Sequence, residues 1–207
     1  DVYKRQSEIL RNATRLRNTQ WIDYPKFHIR EKSDLFRING SELQEELESS
    51  FSNVGQEETI VITRSNKNAN LYNQQIRGRI LWYEEELCSG DSLMVVKNNY
   101  FWMGDDNRMG FIANGEIVRV KRVLRREELY GFEFARVSVE FIDYADLGEV
   151  ELIIHTESLM SEGPALTRNR MKDLFYEIER DYAHLRNKKE RYEAILSDQY
   201  FNALQVK

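Results

Sequence analysis

Residues Gly90 to Val123 read GDSLMVVKNNYFWMGDDNRMGFIANGEIVRVKRV, and this stretch decides how the rest of the chain is read. Leu93 to Val96 is a short apolar run opened by the Gly90-Asp91 turn signal, and Phe111 to Val123 mostly alternates with period two around Asn114-Gly115. Apolar runs bounded by turn residues predict strands. An Asn-Gly pair between such runs predicts a tight type I′ turn, because both residues tolerate the positive φ it needs. Within the second strand Ile117, Arg119, Lys121 and Val123 fall on one face and Val118, Val120 and Arg122 on the other. The basic pair Arg119 and Lys121 is thereby expected to point the same way.

Composition sets the outer limits. A chain of 207 residues, 41% hydrophobic and 31% charged, reads as a globular sequence able to bury a sizeable core. No apolar run approaches the roughly 18 residues of a membrane span, so no membrane partner is expected. Cys88, the single cysteine, has no partner for an internal disulfide, which fits a reducing, cytoplasmic location. His28, His155 and His184 lack metal-ligand spacing, and no metal site is predicted. A net charge of -5 excludes a surface uniformly coated in positive charge, yet affinity for phosphates follows clustering rather than the total. Two basic clusters stand out: Arg119, Lys121, Arg122, Arg125 and Arg126, and later Arg186, Lys188, Lys189 and Arg191. The plainer alternative for each is a solvated face, and in the second Glu190 and Glu193 sit among the bases.

Taken in order, Ser7 to Asn18 places Ile9, Ala13 and Leu16 at helical spacing behind a candidate Ser7 cap. Asp34 to Ile38 alternates like a strand and stops at Asn39-Gly40. Ser41 to Gln44 reads as a capping box for a helix ending near Phe51. Glu57 to Thr63 is a β-branched run that feeds, through Arg64-Ser65-Asn66-Lys67, a helix with Ala69, Tyr72, Ile76 and Ile80 on one side. A continuous apolar strand leading into a helix is the signature of an α/β unit whose strand is covered on both faces. At such a junction backbone N–H groups and the helix dipole can hold a phosphate, with Ser65 and Asn66 as contacts and Arg64 or Lys67 adding charge. The plainer alternative is that Ser65 only caps the helix.

Tyr100, Phe101 and Trp102 are consecutive, so alternating strand faces cannot bury all three. Either one is exposed beside Arg119 and Lys121 as a stacking platform for unpaired bases, or Tyr100 and Trp102 plug the barrel while Phe101 packs on a neighbouring domain. Leu129 to Tyr144 and Val150 to Ile154 supply further strands, with a hairpin expected at Ala145 to Gly148. From Arg168 to about Ser197 the apolar spacing is helical, with a break near Asn187. Asn202 to Val206 begins a last strand.

The order Gly90, Asp91, Met94, Asn98, Asn99, Tyr100, then Asn114, Gly115, Glu116 resembles the small Src-homology-3-like barrel inserted in the second motor domain of RecD-like superfamily 1 DNA helicases. Val118 departs from that pattern, where many relatives carry glycine. The resemblance implies an α/β fold with an inserted all-β barrel: a partial RecA-like motor domain over 1–87, the barrel over 88–156, a helical arm over 157–199, and a strand at 200–207 returning to the RecA-like domain. It implies an ATP-dependent helicase that grips and translocates on single-stranded DNA. The partners would be that DNA and a first RecA-like domain of the same parent chain, with ATP and Mg2+ held by the parent protein. The nucleic-acid-binding candidates are Thr63, Arg64, Ser65, Asn66, Lys67, Asn99, Tyr100, Phe101, Asn114, Arg119 and Lys121. Arg5, in the Arg5-Gln6 pair before the first helix, matches an arginine that reaches the ATP γ-phosphate, although Asp1 to Gln6 is itself similar to translated adapter sequence. Beginning at Asp1 and ending within an expected strand, the chain reads as a fragment. With no G-x-x-x-x-G-K-[ST] phosphate loop, it is expected to be inactive alone. Two other readings stay open: a stand-alone single-strand-binding module, and a protein-interaction scaffold.

Overall fold

A computed structural model describes residues 7–18, 24, 26–30, 33–103, 109–161, 163 and 165–207. The chain divides into two compact units, Asp1–Ile60 and Val61–Lys207.

In the first unit α1 spans Glu8–Asn18 and α2 spans Leu43–Asn53. Ser7 caps α1 as expected, its Oγ accepting the Leu10 N–H at 3.2 Å. The buried side is polar, however. Glu8 and Asn12 are each 3% exposed, whereas Ile9, Ala13 and Leu16 face outward. The reason is local hydrogen bonding: the Asn12 amide donates to the carbonyls of Glu8 and His28 and accepts the His28 N–H, each at 2.8 Å, which pins the following segment to that face. The capping box at Ser41 does not form. Glu42 takes the N-cap position without a side-chain cap and turns its carboxylate back to accept the Asn39 N–H at 2.8 Å. Asp34 to Ile38 is not a strand.

Nor does the run Glu57 to Thr63 become the expected buried strand. It is irregular and unpaired, with Ile60 82% and Ile62 88% exposed. Apolar β-branched residues become a doubly covered strand only when neighbouring strands and layers supply hydrogen bonds and contacts, and none among the described residues pairs with this run. The helix after it does form, as α3 (Asn66–Arg79), with Ile76 as its buried anchor.

The second unit is built on one curled sheet of five strands: β1 (Ser92–Met94), β2 (Ile117–Leu129), β3 (Phe132–Phe141), β4 (Glu149–His155) and β5 (Leu204–Gln205), in the order β1-β2-β3-β4-β5. Neighbours are antiparallel except β4 and β5. Two register shifts in β2, between Val120 and Arg122 and between Val123 and Arg125, leave Lys121 and Leu124 unmatched on β3. Bulges of this kind add twist and bend a strand. The bending carries the sheet edges together. Met94 and Lys207 exchange backbone hydrogen bonds at 2.7 and 2.9 Å, Val96 N–H donates to the Gln205 carbonyl at 3.0 Å, and Val95 bridges Val206. Of the strand expected over 200–207, Leu204–Gln205 forms β5 in this sheet, and Leu204 and Val206 join Leu93, Val118, Val137 and Phe141 in its core.

The other face of β3 and β4 carries a second core. Phe132, Phe134 and Ile153 meet Leu174 and Ile178 of α5 (Arg168–Asp181) and Ile195 of α6 (Lys188–Leu196). The expected break falls where predicted, Asn187 capping α6. Tyr130 and Gly131 join β2 to β3 with φ of 60° and 69°, the conformation of a type I′ turn. That backbone is costly for a bulky residue, and the Tyr130 hydroxyl donates to Asp181 at 2.6 Å, tying the hairpin tip to α5. β3 and β4 form a hairpin whose connection is a 3-10 segment, Ile142–Leu147, and it closes at the expected Ala145 to Gly148, the Gly148 N–H donating to the Ala145 carbonyl at 3.2 Å; short α4 (Glu157–Met160) follows β4. No helix among the described residues is long and apolar enough to cross a membrane.

His155 is fully buried between Phe132 and Phe134, with neither ring nitrogen hydrogen-bonded. Burial, opposed in part by Glu157 and helped by smaller repulsion from Arg170 and Lys97, pushes its pKa down to about 4. Between that value and the ordinary ~6.5 the unfolded chain binds the extra proton, so stability falls as pH drops from 7 through 4. The expected loss is up to about 3 kcal/mol. Denaturant unfolding across that range should show the slope in the native protein and a shallower one in His155→Phe; equal slopes would disprove the assignment.

Candidate nucleic-acid interface

The aromatic loop is organised by two asparagines. Asn99 pairs antiparallel with Ile112 through two 2.8 Å backbone hydrogen bonds. Its side-chain oxygen accepts the N–H groups of Phe101 at 3.0 Å and Trp102 at 3.3 Å, while its amide donates to the Asn202 carbonyl at 2.8 Å. Trp102 Nε1 donates to the same carbonyl at 2.8 Å. Asn98 accepts the Asn114 N–H at 2.8 Å, which fixes the following turn. That turn differs from the expected type I′: Gly115 alone has positive φ, 98°, and Glu116 N–H closes on the Ala113 carbonyl at 3.2 Å. The chain on either side of it pairs with different segments, Ile112 with Asn99 and Ile117 with Met94.

Of the three consecutive aromatics, Trp102 is the plug, packing against both cores. Tyr100 is 69% exposed and lies stacked on Phe111, with ring centroids 4.9 Å apart and planes 23° from parallel. Phe111 is the site residue that sequence reasoning missed. Its signal is the Asn99–Ile112 register, which sets Tyr100 opposite Phe111. Phe101 meets Trp102 edge-on at 5.1 Å.

The basic face of β2 has a different character. Val118 and Val120 are buried and Ile117 and Lys121 face outward, as the alternation predicts, up to the bulge at Lys121. Beyond it Arg122 is exposed and Val123 half-buried, so the predicted faces exchange. Lys121 pairs with Glu140 at 3.1 Å, Arg122 with Glu149 at 2.8 Å, Arg125 with Glu127 at 2.8 Å, and Arg126 with Glu85. Arg119 lies between Ser92 and Glu140 in the register. The Glu149 carboxyl is held below the ordinary carboxylate range by the Ser138 hydroxyl and by Arg122. A row of bases already matched to carboxylates attracts a phosphate chain far less than the same row unmatched. The second cluster is similar: Arg191 donates to the Leu185 carbonyl and meets Glu179, and Lys189 meets Glu193.

At the start of α3, Ser65 is the helix cap, its Oγ accepting the Asn68 N–H at 3.2 Å, and the Thr63 hydroxyl donates to the Ser65 carbonyl at 3.1 Å. Arg64, Ser65, Asn66 and Lys67 are exposed. The far end of α3 is fastened to the sheet. Arg77 donates through Nε and Nη2 to the two oxygens of Asp91, both at 2.8 Å, and Asp91 also accepts the Cys88 N–H. Gly90 has φ 95° and a Cβ there would stand 2.6 Å from the Tyr83 hydroxyl, so the Gly90-Asp91 pair holds the α3–β1 connection. Thus Asn99, Tyr100, Phe101 and Asn114 are brought together, while Arg119 with Lys121 and the residues 63–67 form two further groups. Arg5 lies outside the described residues.

A cavity of about 300 Å³ is lined by Glu86, Arg126, Glu127, Glu128, Glu133, Phe134 and Thr156. Burial, with a smaller effect from Glu133, pushes the Glu86 carboxyl up. A lining of four glutamates against one arginine suits a triphosphate poorly. No group of three or more His, Cys, Asp or Glu among the described residues is placed to hold a metal ion. Compared with protein-family models and with curated proteins, the sequence matches none.

Asn99→Ala removes hydrogen bonds to Asn202, Phe101 and Trp102 at once. The expected cost is about 1–3 kcal/mol, with Trp102 fluorescence shifted to the red as the ring loosens. Unchanged stability and emission would contradict the clamp.

Proposed function

We propose that this chain supplies a surface for single-stranded DNA, and that it does so as the barrel-bearing part of a RecD-like, ATP-dependent helicase. The observation that carries the reading is the solvent-facing Tyr100–Phe111 stack, held in place by Asn98 and Asn99. An exposed, pre-stacked ring pair offers a face to any base, which gives affinity with little sequence preference. The family likeness supplies the motor context, and the residues that carry the likeness are those that build the ring platform and its anchorage. Asn99 and Asn114 act by positioning; Tyr100, Phe101 and Phe111 touch the strand; the Thr63 to Lys67 turn offers a phosphate contact at the start of α3. ATP and Mg2+ belong to the parent protein on this reading, with the partner motor domain closing on this one.

A stand-alone single-strand-binding module would use the same rings, and the two accounts part on ATP chemistry in the full-length parent.

The test is binding of fluorescent oligo-dT by the purified chain. Tyr100→Ala is expected to weaken it by about 1–3 kcal/mol. The salt dependence should be shallow because the β2 bases are matched. Binding insensitive to Tyr100→Ala and Phe111→Ala would defeat the proposal. The chain alone should show no ATP hydrolysis above background; clear turnover would overturn the placement of the nucleotide site elsewhere in the parent.

A further inference from the structure

The sequence holds two asparagine-glycine pairs, Asn39-Gly40 and Asn114-Gly115, and the fold treats them differently. Such a pair is a weak point of any chain toward loss of ammonia. The glycine amide nitrogen can attack the asparagine Cγ because glycine has no Cβ to crowd the approach and turns freely about φ and ψ. Attack requires that nitrogen to shed its proton. An N–H already donated to a carbonyl is held back from doing so.

Solvent access does not separate the two pairs, since all four residues are exposed. Backbone bonding does. The Gly115 N–H donates to the carbonyl of buried Val95 at 2.8 Å, and the Asn114 N–H donates to the Asn98 side-chain oxygen at 2.8 Å. The second pair is thus sewn to the rim of the curled sheet on both sides. At the first pair the Asn39 N–H donates to the Glu42 carboxylate at 2.8 Å, and the Asn39 carbonyl accepts the Glu42 N–H at 3.0 Å. The Gly40 N–H meets no acceptor among the described residues. A Cβ built on Gly40 would also meet nothing within 4 Å, so the surroundings of this residue are open.

We infer that Asn39 is a site of spontaneous deamidation in the folded chain, and that the Val95 carbonyl shields Asn114 from the same reaction. The Gly40 nitrogen gives its proton to base and bonds to Asn39 Cγ. The Cγ–Nδ2 bond breaks, and the departing nitrogen takes a proton from water to leave as ammonia. The five-membered imide then adds a water: opening at Cγ gives aspartate, and opening at the main-chain carbonyl gives isoaspartate. Either way an amide becomes a carboxylate. At Asn39, isoaspartate routes the chain through Cβ and Cγ and withdraws the carbonyl that the Glu42 N–H uses, which loosens the turn that opens α2. At Asn114 the new charge would stand in the turn that Asn98 ties to the Tyr100 loop, where on the single-strand reading it would repel phosphates. The shielding itself does not depend on that reading.

Ageing the purified chain in mildly alkaline buffer, followed by peptide mapping with mass detection, tests both halves. In the native chain Asn39 is expected to gain its carboxylate at least about tenfold faster than Asn114, because reaction at Asn114 must wait for local opening. In denaturant the two rates should converge. Gly40→Ala, which the open surroundings accept without backbone strain, should slow the change at Asn39 severalfold and leave the far-UV circular dichroism as it was. Amide hydrogen exchange gives a check free of the covalent chemistry: the Gly40 N–H should exchange rapidly and the Gly115 N–H slowly. Equal native rates at Asn39 and Asn114, or rapid exchange at Gly115, would overturn the shielding. An Asn39 that stays intact in the native chain while reacting in denaturant would overturn the site, because the Glu42 turn would then be holding the pair out of the attacking geometry.

Discussion

The meeting of β1 with the last residues of the chain is the constraint on which the second unit depends. Met94, Val95 and Val96 on one side and Gln205, Val206 and Lys207 on the other satisfy each other's backbone groups, and no exposed edge remains along that seam. Closing a sheet of only five strands requires strong bending. Two bulges in β2, at Lys121 and Leu124, supply it. Everything placed on the rim, including the turn at Ala113 to Glu116 and the loop that carries Tyr100, takes its position from that curvature.

Asp91, Asn98 and Asn99 hold this geometry more than they offer it to a ligand. Asp91 satisfies Arg77 and the Cys88 amide; Asn98 and Asn99 satisfy backbone groups of the loop and of the neighbouring turn. Buried or half-buried polar atoms with complete hydrogen bonding fix one arrangement because every alternative leaves a group unsatisfied. What remains for recognition is the ring that such clamps push outward. Tyr100, stacked on Phe111, is the clearest instance.

Local signals were legible in the sequence wherever a side chain acts on its own neighbourhood. Ser7, Ser65 and Asn187 cap the helices that their positions announce, and the alternation of Ala135, Val137, Val139 and Phe141 marks the core side of β3. Readings failed where the outcome depends on distant partners. Glu57 to Thr63 has the composition of a covered strand and no strand beside it, while α1 buries Glu8 and Asn12 because the chain near His28 bonds to Asn12. At the interface, the aromatic run was evident but its exposed member was not, since Trp102 and Tyr100 are told apart only by the Asn202 carbonyl and the Ile112 register. The bases of β2 were visible as a cluster, yet Glu140, Glu149 and Glu85, which match Lys121, Arg122 and Arg126, come from β3, β4 and the α3–β1 connection, far away in sequence.

One strand, β3, is a party wall. Its odd-numbered residues Ala135, Val137, Val139 and Phe141 finish the interior of the curled sheet, while Phe132 and Phe134 on its reverse finish the interior beneath α5 and α6. Barrel and arm are consequently halves of one cooperative body rather than beads joined by a tether. Severed after β4, the sheet would lose Leu204 and Val206 from one interior and bare a phenylalanine wall on the other side.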